Sequence, residues 1–304
     1  MPVMALPRLE ALLLRCCLWL LRRMSPAAAS NLGGGIARTV GPLLPVTRVG
    51  DANLRLAFPA MKPAARRRVL RNVWDNLGRT TAELAHLGDL RRTAAGPGWE
   101  IEGEAVILEA MRQGGPVVLI SAHCGNWEIQ PAVCAALGRP MSSFYRPPGN
   151  PFVAGLLEDL RRRAAGPGTG YFAKGSPGAR AALAHLRGGG LLGLLIDQKM
   201  NDGIAAPLFG HLAMTAPAAA TLALRFGCKV IPTHVVRLGP ARLRVVVDPP
   251  MPHPSTGDRQ ADIASFTAAM NATLEGWIRE RPGEWLWLHR RWPKPPAGQS
   301  SSDA

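Results

Sequence analysis

The sequence has few aromatic residues and no regular cysteine spacing. Only two of 304 residues are Tyr and seven are Phe, which leaves little side-chain surface for stacking on nucleic-acid bases. No Cys and His spacing matches a zinc site. The five cysteines show no paired framework, which favours a reducing compartment over a secretory one. These absences argue against a nucleic-acid-binding protein and against a disulfide-rich secreted domain.

Acidic residues are also scarce, with 21 Asp and Glu against 36 Lys and Arg and a formal net charge of +15. An excess of this size indicates an anionic partner. Arginine dominates the excess, and its planar guanidinium suits phosphate and carboxylate groups. With nucleic acid disfavoured, the remaining anionic partners are lipids and acidic carrier proteins.

Long apolar runs are missing as well. Residues 8–23, RLEALLLRCCLWLLRR, are apolar on most of a helix but carry arginines, whereas a membrane span needs about 20 largely apolar residues. The segment is typical of an interfacial helix with snorkelling arginines or of a marginal span. An ordinary amphipathic helix docked on the core is the alternative. Arg15 inside the apolar region argues against a signal peptide, and basic flanks favour the cytoplasmic face.

The most informative segment is residues 116–128, PVVLISAHCGNWE. Its Val, Leu and Ile run predicts a strand buried on both faces. Gly125 predicts a turn, and apolar residues then recur at helical spacing. His123 is therefore expected in a strand-to-helix loop and Glu128 in the following first turn, where its carboxylate would orient and charge-stabilise the imidazole.

This pair is a general base without a nucleophile of its own. A histidine has a reference pKa of about 6.5, so its neutral form is available near neutral pH to take a hydroxyl proton. Cys124 is the rival nucleophile, but adjacent residues on an extended segment point in opposite directions. The simplest reaction left is acyl transfer to a substrate hydroxyl, while a purely structural His next to a Glu is the alternative.

The rest of the chain predicts one alternating α/β unit. Apolar strands at about 116–122, 141–145 and 191–197 alternate with helical segments. This order predicts an α/β fold whose mixed, largely parallel sheet is flanked by helices on both faces. The expected organisation is an N-terminal membrane-associating helix over 1–25, a single α/β domain over 26–295 and a disordered tail over 296–304.

Several short motifs occur in a fixed order along the chain. They are HCGNWE at 123–128, YRPPGNP at 145–151, LRRR at 160–163, DQK at 197–199, PLFG at 207–210, MTAP at 214–217 and RPGEWLWLHRRW at 281–292. Together they resemble the bacterial lipid A biosynthesis acyltransferases, the late lauroyl or myristoyl transferases within the lysophospholipid acyltransferase superfamily. The wider superfamily usually has Asp where Glu128 stands, and the lipid A branch has Glu.

The resemblance implies a donor, an acceptor and a location. The donor is an acyl thioester on the phosphopantetheine of acyl carrier protein, and the acceptor is a 3-hydroxyacyl group on a phosphorylated glucosamine disaccharide, an anionic glycolipid. The reaction takes place at the cytoplasmic face of the inner membrane and needs no metal, nucleotide or other cofactor. The implied mechanism is direct attack of the acceptor hydroxyl on the thioester, with His123 and Glu128 as the catalytic dyad.

Further residues are candidates for binding. Gly125 and Asn126 near the helix start are expected to offer oxyanion donors. Arg146 lies in a Pro-rich loop and is expected to bind phosphate or the phosphopantetheine arm, with a structural turn as the alternative. Arg163 matches the second arginine of the LRxR pattern and is expected near the site, although a helical arginine cluster is usually a solvated face.

Further candidate site residues lie at the end of the strand LLGLLID and in the C-terminal motif. Asp197 and Gln198 come where catalytic-edge residues lie in open sheets, with an Asp capping the next turn as the alternative. Lys199, Arg290 and Arg291 are expected phosphate contacts. Alternation in EWLWLHRRW puts its tryptophans at 285 and 287 on one face, either at a membrane interface or in the core.

Two other functions stay open at this point. A lysophospholipid or another glycolipid as acceptor would leave the catalytic argument unchanged and alter only the pocket. A basic membrane-associated binding protein without catalysis would share the charge and the N-terminal helix.

Overall fold

The computed structural model describes residues 5–145, 147–173 and 175–293. The α-helices are α1 (Ala5–Arg22), α2 (Pro26–Val40), α3 (Thr47–Ala57), α4 (Pro63–Glu83), α5 (Glu104–Gln113), α6 (Gln130–Ala136), α7 (Pro151–Ala165), α8 (Ser176–Arg187), α9 (Ala218–Phe226) and α10 (Arg259–Glu280). The strands are β1 (Gly98–Glu102), β2 (Val117–Ser121), β3 (Met141–Tyr145), β4 (Tyr171–Ala173), β5 (Leu191–Leu195), β6 (Lys199–Leu208), β7 (His211–Thr215), β8 (Lys229–Gly239) and β9 (Arg242–Val247). The predicted tail, residues 296–304, lies outside the described residues.

The central sheet has seven strands in the order β1-β9-β8-β2-β5-β3-β4. Strands β8 and β9 run antiparallel, and the other neighbouring strands run parallel. The predicted α/β class with a mostly parallel, helix-flanked sheet is confirmed. Parallel neighbours end at the same edge, so the loops after β2, β5 and β3 lie side by side.

Strand β2 shows why the sheet is covered on both faces. Its five residues are all buried, and they alternate between two cores. Val117 and Leu119 belong to a cluster with residues of α5 and α6. Val118 and Ile120 belong to another cluster with residues of α8, α9 and α10. A strand buried on both faces needs an uninterrupted apolar run. In VVLIS the first four residues are apolar, and only the last, Ser121, is polar.

Strands β6 and β7 form a separate two-stranded hairpin. Its turn is Phe209–Gly210, and both residues have positive φ angles, 53° and 74°, as a two-residue turn between antiparallel strands requires. The Phe209 ring packs edge-on against Phe58 at 5.2 Å and near Trp287 at 6.2 Å. The PLFG motif therefore anchors this hairpin to the aromatic core.

Helix α1 lies on the surface of the domain. Its described side chains bury Ala11 and Leu18, which are seven positions apart on one face. Asn150 donates to the carbonyl of Pro7 at 2.8 Å, and Arg22 donates to the carbonyl of Ala85. None of the helices in the described residues is long and apolar enough to cross a membrane.

Candidate active site

The site begins where β2 and β5 end. The register of these parallel strands pairs Ser121 with Leu195. Two residues after each strand end lies a polar side chain, His123 after β2 and Asp197 after β5. The equal spacing after paired strand ends brings the two side chains together at the carboxyl edge of the sheet. The sequence predicted both residues at strand ends but not their contact.

His123 and Asp197 form a hydrogen-bonded pair. Nδ1 of His123 lies 2.9 Å from Oδ1 of Asp197, and the backbone N–H of His123 donates to Oδ2 at 3.0 Å. A carboxylate only accepts, so Nδ1 carries the proton and Nε2 of the neutral ring keeps its lone pair. The imidazole is 14% exposed and Asp197 is completely buried. This geometry suits a general base that works through Nε2.

The electrostatics of the pair favour a charged imidazole. Burial lowers the pKa of His123, but the charge and hydrogen bond of Asp197, together with the charge of Glu128, raise that pKa above its usual value. Burial raises the pKa of Asp197, yet His123 and His289 outweigh burial and hold that pKa well below the usual range. Asp197 therefore stays ionised and stabilises the imidazolium that forms when the ring takes a proton.

The expectation that Glu128 orients the imidazole is corrected by this geometry, because Asp197 holds Nδ1. Glu128 lies in the predicted first turn, a 3-10 turn over Trp127–Ile129. Its carboxylate accepts two hydrogen bonds from Arg161, at 2.7 Å from Nε and 2.6 Å from Nη2. This bidentate pair fixes the guanidinium in one orientation. Glu128 therefore acts on His123 through its charge and on Arg161 through direct contact.

The arginine at the site is Arg161, and Arg163 is exposed. Residues two apart on a helix lie on nearly opposite faces, so when Arg161 on α7 contacts Glu128, Arg163 points away from Glu128. Arg162 pairs with Glu158 on the helix surface. The structure therefore puts Arg161, and not the predicted Arg163, on the carboxylate of Glu128, because the motif fixes the arginine spacing but not the rotation of α7 about its axis.

Two buried polar atoms near Glu128 have no hydrogen-bond partner among the described residues: Nη1 of Arg161 and the hydroxyl of Tyr145. The Arg161 guanidinium stacks over the Tyr145 ring at 4.9 Å. Burial raises the pKa of Tyr145, which keeps its hydroxyl protonated. Buried donors without partners are costly in a free protein, and they offer hydrogen bonds to a bound group.

Gly125 shapes the loop but does not offer its N–H to a substrate. Its φ is +55°, and a Cβ there would lie 2.3 Å from the carbonyl oxygen of Val235, so only glycine fits. The Gly125 N–H donates to the carbonyl of Glu284 at 3.2 Å. The expectation that Gly125 offers an oxyanion donor is corrected, because its amide is already paired.

Asn126 is also engaged in holding the loop. Its side-chain amide donates to Glu83 at 2.7 Å, and its side-chain oxygen caps the following turn by accepting from the Glu128 N–H. The side chain is completely buried. The side chain is therefore not free to donate to an oxyanion, and the backbone N–H of Asn126 stays a predicted oxyanion donor.

A buried ionic network lies beneath this loop. Glu83, at the end of α4, is completely buried and forms a bidentate pair with Arg237. From the same helix, Asn76 and Thr80 donate to the carbonyl of Gly125 at 2.9 and 3.0 Å. Helix α4 therefore fixes the backbone of the His123 loop through the Gly125 carbonyl.

Cys124 is buried among core residues. Burial raises the pKa of its thiol well above the usual value, and the charges of Asp197 and Glu284 raise it further. The thiolate is the reactive form of cysteine. The rival interpretation of Cys124 as a nucleophile is therefore disfavoured on charge as well as direction.

The C-terminal motif forms part of the core. Trp285 and Trp287 are both completely buried, so the core alternative holds for these rings. Arg291 is completely buried too and donates to Thr215 at 2.7 Å and to the Met214 carbonyl. Burial lowers the pKa of Arg291 to about 10. The expected phosphate contact of Arg291 is corrected, because its side chain does not reach the surface, whereas Arg290 is exposed.

Gln198 and Lys199 follow Asp197 directly and are exposed. Lys199 begins β6 and pairs in register with Thr215. These two side chains border the site edge, and their contacts with substrate stay predictions. Arg146 lies outside the described residues.

Sequence reasoning missed Arg161, Tyr145 and the network around Glu83. Tyr145 lies next to the predicted Arg146, and Arg161 lies two positions before the predicted Arg163 in the same motif. The LRRR motif was therefore the signal for Arg161, but it did not distinguish among its three arginines. Glu83 and Arg237 carry no local signal, because they meet only through the packing of α4 on β8.

Comparison with known proteins places these features in a family. The family model for bacterial lipid A biosynthesis acyltransferases matches residues 5–294. The lipid A biosynthesis palmitoleoyltransferase of Escherichia coli (strain K12) is 24% identical over 289 residues, covering 93% of this chain and 91% of that protein. The lipid A biosynthesis lauroyltransferase of the same strain is 25% identical over 294 residues, with the same coverage. The chain is an acyltransferase that belongs to the bacterial lipid A biosynthesis acyltransferase family.

Proposed function

We propose that this enzyme transfers a fatty acyl chain from an acyl carrier protein thioester to a hydroxyl of a lipid A precursor. The observation that carries the proposal is the His123–Asp197 pair, which leaves Nε2 of a mostly buried imidazole without a hydrogen bond from the described residues. A base of this kind without an activated nucleophile fits a reaction in which the substrate brings its own hydroxyl.

The reaction proceeds by direct attack. Nε2 of His123 takes the proton of the acceptor hydroxyl as its oxygen bonds to the thioester carbonyl carbon. Asp197 stabilises the resulting imidazolium through the 2.9 Å contact with Nδ1. Collapse of the tetrahedral intermediate breaks the carbon–sulfur bond, and the imidazolium returns its proton to the leaving thiolate. The products are an ester and the free thiol of the carrier, and the enzyme ends in its starting state.

Arg161 and Tyr145 are the proposed donors to the tetrahedral oxyanion. Nη1 of Arg161 and the Tyr145 hydroxyl are buried and unpaired among the described residues. The bidentate contact with Glu128 holds the guanidinium in place before substrate arrives. Preorganised donors of this kind stabilise developing negative charge, and loss of one typically costs about 3 kcal/mol of barrier stabilisation.

Anionic parts of both substrates fit the basic surface. Exposed Lys199 and Arg290 border the loops that carry the pair, and with Arg146 they are the proposed contacts for the acceptor phosphates. The net charge of +15 favours encounter with an acidic carrier protein and with anionic lipid. Association of the carrier should weaken at high ionic strength.

We further propose that α1 and α2 attach the enzyme to the cytoplasmic face of the inner membrane. On α1, six large apolar side chains are between 50% and 64% exposed: Leu6, Leu9, Leu12, Leu13, Trp19 and Leu20. On α2, exposed Leu32, Ile36 and Val40 recur every four residues and form one stripe. Exposed apolar surface of this extent, flanked by arginines, is typical of interfacial helices.

The test is an assay of the purified full chain with lauroyl- and palmitoleoyl-acyl carrier protein as donors. Acceptors are a lipid A precursor and a lysophospholipid, and mass spectrometry identifies the product. We expect an acyl mass added to the lipid A precursor only. Acylation of the lysophospholipid alone would change the acceptor, and absence of any acylated product with every pair would favour a binding protein over an enzyme.

A further inference from the structure

The buried carboxylate of Asp197 has a donor that belongs to neither member of the proposed catalytic pair. The indole Nε1–H of Trp285 donates to Oδ2 of Asp197 at 2.8 Å. Oδ2 also accepts the backbone N–H of His123 at 3.0 Å and lies 3.1 Å from Nδ1 of the imidazole, while Oδ1 is closer to Nδ1, at 2.9 Å. Trp285 therefore binds the oxygen of Asp197 that is not the closest contact of the imidazole.

Backbone pairing fixes Trp285 relative to the His123 loop. Cys124 and Trp285 form an antiparallel bridge, the Leu286 N–H donates to the His123 carbonyl at 3.1 Å, and the Gly125 N–H donates to the Glu284 carbonyl at 3.2 Å. Residues 284–286 thus run along residues 123–125 like a short strand. One loop carries the imidazole, and its paired segment carries the donor to the carboxylate.

Aromatic packing restricts the indole further. The ring of Trp285 lies edge-on to Trp287 at 4.6 Å and to His289 at 5.3 Å, and no part of Trp285 is exposed. A completely buried ring with two aromatic neighbours has little rotational freedom. The direction of its N–H is consequently set by the fold before substrate binds.

We infer that Trp285 is a positioning residue for the proposed acyl transfer. Its N–H holds Oδ2, so that Oδ1 stays on Nδ1 of His123 and Nε2 points to the substrate edge. The same hydrogen bond withdraws negative charge from the carboxylate, and a less basic carboxylate stabilises the imidazolium less. Trp285 touches no reacting atom and moves no proton, and the inference rests on the proposed role of His123 as base.

The test compares Trp285→Phe with the matched control Trp277→Phe. Trp277 is also buried, and its indole N–H also donates to a carboxylate, that of Asp248 at 3.1 Å, which is not part of the proposed site. Each substitution removes one buried indole donor and the same volume. Both variants are expected to unfold at lower temperature than the wild type, and only Trp285→Phe is expected to alter the chemistry.

For Trp285→Phe we expect kcat to fall about 10- to 100-fold, as for loss of one hydrogen bond to a charged group, with KM for donor and acceptor unchanged. The fall follows because the carboxylate is no longer held in the orientation that directs Nε2 to the substrate, and this loss outweighs the stronger hold on the imidazolium. The acid limb of kcat/KM against pH should move to higher pH, because the carboxylate without its donor holds the imidazolium more strongly. Trp277→Phe should keep the wild-type pH midpoint and kcat. Equal kcat and equal pH midpoints in the two variants would overturn the inference.

If Trp285→Phe does not fold, 3-benzothienylalanine at position 285 replaces only the N–H by sulfur and keeps the ring size, and the same kinetic result is expected. An NMR measurement on the wild-type chain without substrate separates this inference from the proposed function. The Trp285 indole ¹H–¹⁵N resonance should titrate with the midpoint of the His123 imidazole even if no acyl donor is used. An indole resonance that does not follow this midpoint would overturn the inference.

Discussion

Replacement of Asp197 by Asn should lower kcat strongly and move the acid limb of the pH profile to lower pH. The substitution keeps the size of the side chain but removes the charge that faces Nδ1 of His123 at 2.9 Å. With charge centres about 4 Å apart and an effective dielectric near 20, the lost attraction to an imidazolium is about 4 kcal/mol. Since about 1.4 kcal/mol is tenfold in rate, kcat should fall by about 10² to 10³.

The sign of the pH shift follows from the causes of the His123 pKa. Burial lowers this pKa, and Asp197 is the main group that raises it above the usual value. A general base works in its neutral form, so activity rises as pH increases through the pKa. Without the carboxylate charge, burial dominates, the pKa of His123 falls, and the acid limb moves to lower pH while the plateau drops.

The assay is kcat/KM against pH for the wild type, Asp197→Asn and Glu128→Gln. Glu128 contributes charge but no hydrogen bond to His123, so Glu128→Gln should move the acid limb less than Asp197→Asn does. A larger shift in Glu128→Gln, or a wild-type kcat in Asp197→Asn, would refute the assignment of Asp197 as the partner of the imidazole.

Three further changes test the oxyanion donor, the scaffold and the membrane surface. Tyr145→Phe removes a buried hydroxyl that has no partner among the described residues. If this hydroxyl is an oxyanion donor, kcat should fall about 10²- to 10³-fold while the unfolding temperature stays the same or rises, and an unchanged kcat contradicts its role. Glu83→Ala leaves the buried Arg237 without its ion-pair partner and should lower the free energy of unfolding, measured by urea denaturation, by about 3–5 kcal/mol. Glu104→Ala, which breaks a surface ion pair, should change this free energy far less. Equal losses in the two variants would count against a stabilising role of the buried network. Leu13→Gln, at a side chain 57% exposed on α1, should weaken flotation with phosphatidylglycerol vesicles about fivefold, since half-burial of a leucine contributes about 1 kcal/mol. Leu108→Gln, 43% exposed on α5, should leave flotation unchanged, and equal effects at the two positions would argue against α1 as the attachment surface.

The elements that follow from local pattern could be predicted from the sequence. The strand at 141–145 has the predicted bounds, and β2 spans 117–121 within the predicted apolar run. The hairpin of β6 and β7 could not be predicted, because KMNDGIAAPL contains Asp, Gly and Pro and no regular alternation. Its strands form because Phe209 and its neighbours pack on the aromatic core, and no local pattern records that contact.

The candidate site was predictable in its residue types and strand ends but not in its pairing. Asp197 and His123 meet because β2 and β5 are parallel neighbours in a fixed register, which is a long-range property. Glu128 lies close in sequence to His123, so local reasoning chose it as the partner. In the folded chain the short turn at 127–129 directs Glu128 to Arg161 on α7, and only the packing of α7 reveals which arginine of the cluster is meant.

In the proposed reaction the two carboxylates have different tasks, and the charges explain why both are needed. Before reaction, Arg161 neutralises Glu128, and Asp197 is a buried anion beside a neutral imidazole. In the proposed mechanism, proton transfer to His123 creates a cation next to Asp197 at the moment when the thioester oxygen becomes an anion. Asp197 stabilises the first of these charges, and Arg161, preorganised by Glu128, is available for the second. A single His–Glu dyad would have to use one carboxylate for both, and a carboxylate that faces the imidazolium cannot also hold a guanidinium toward the oxyanion.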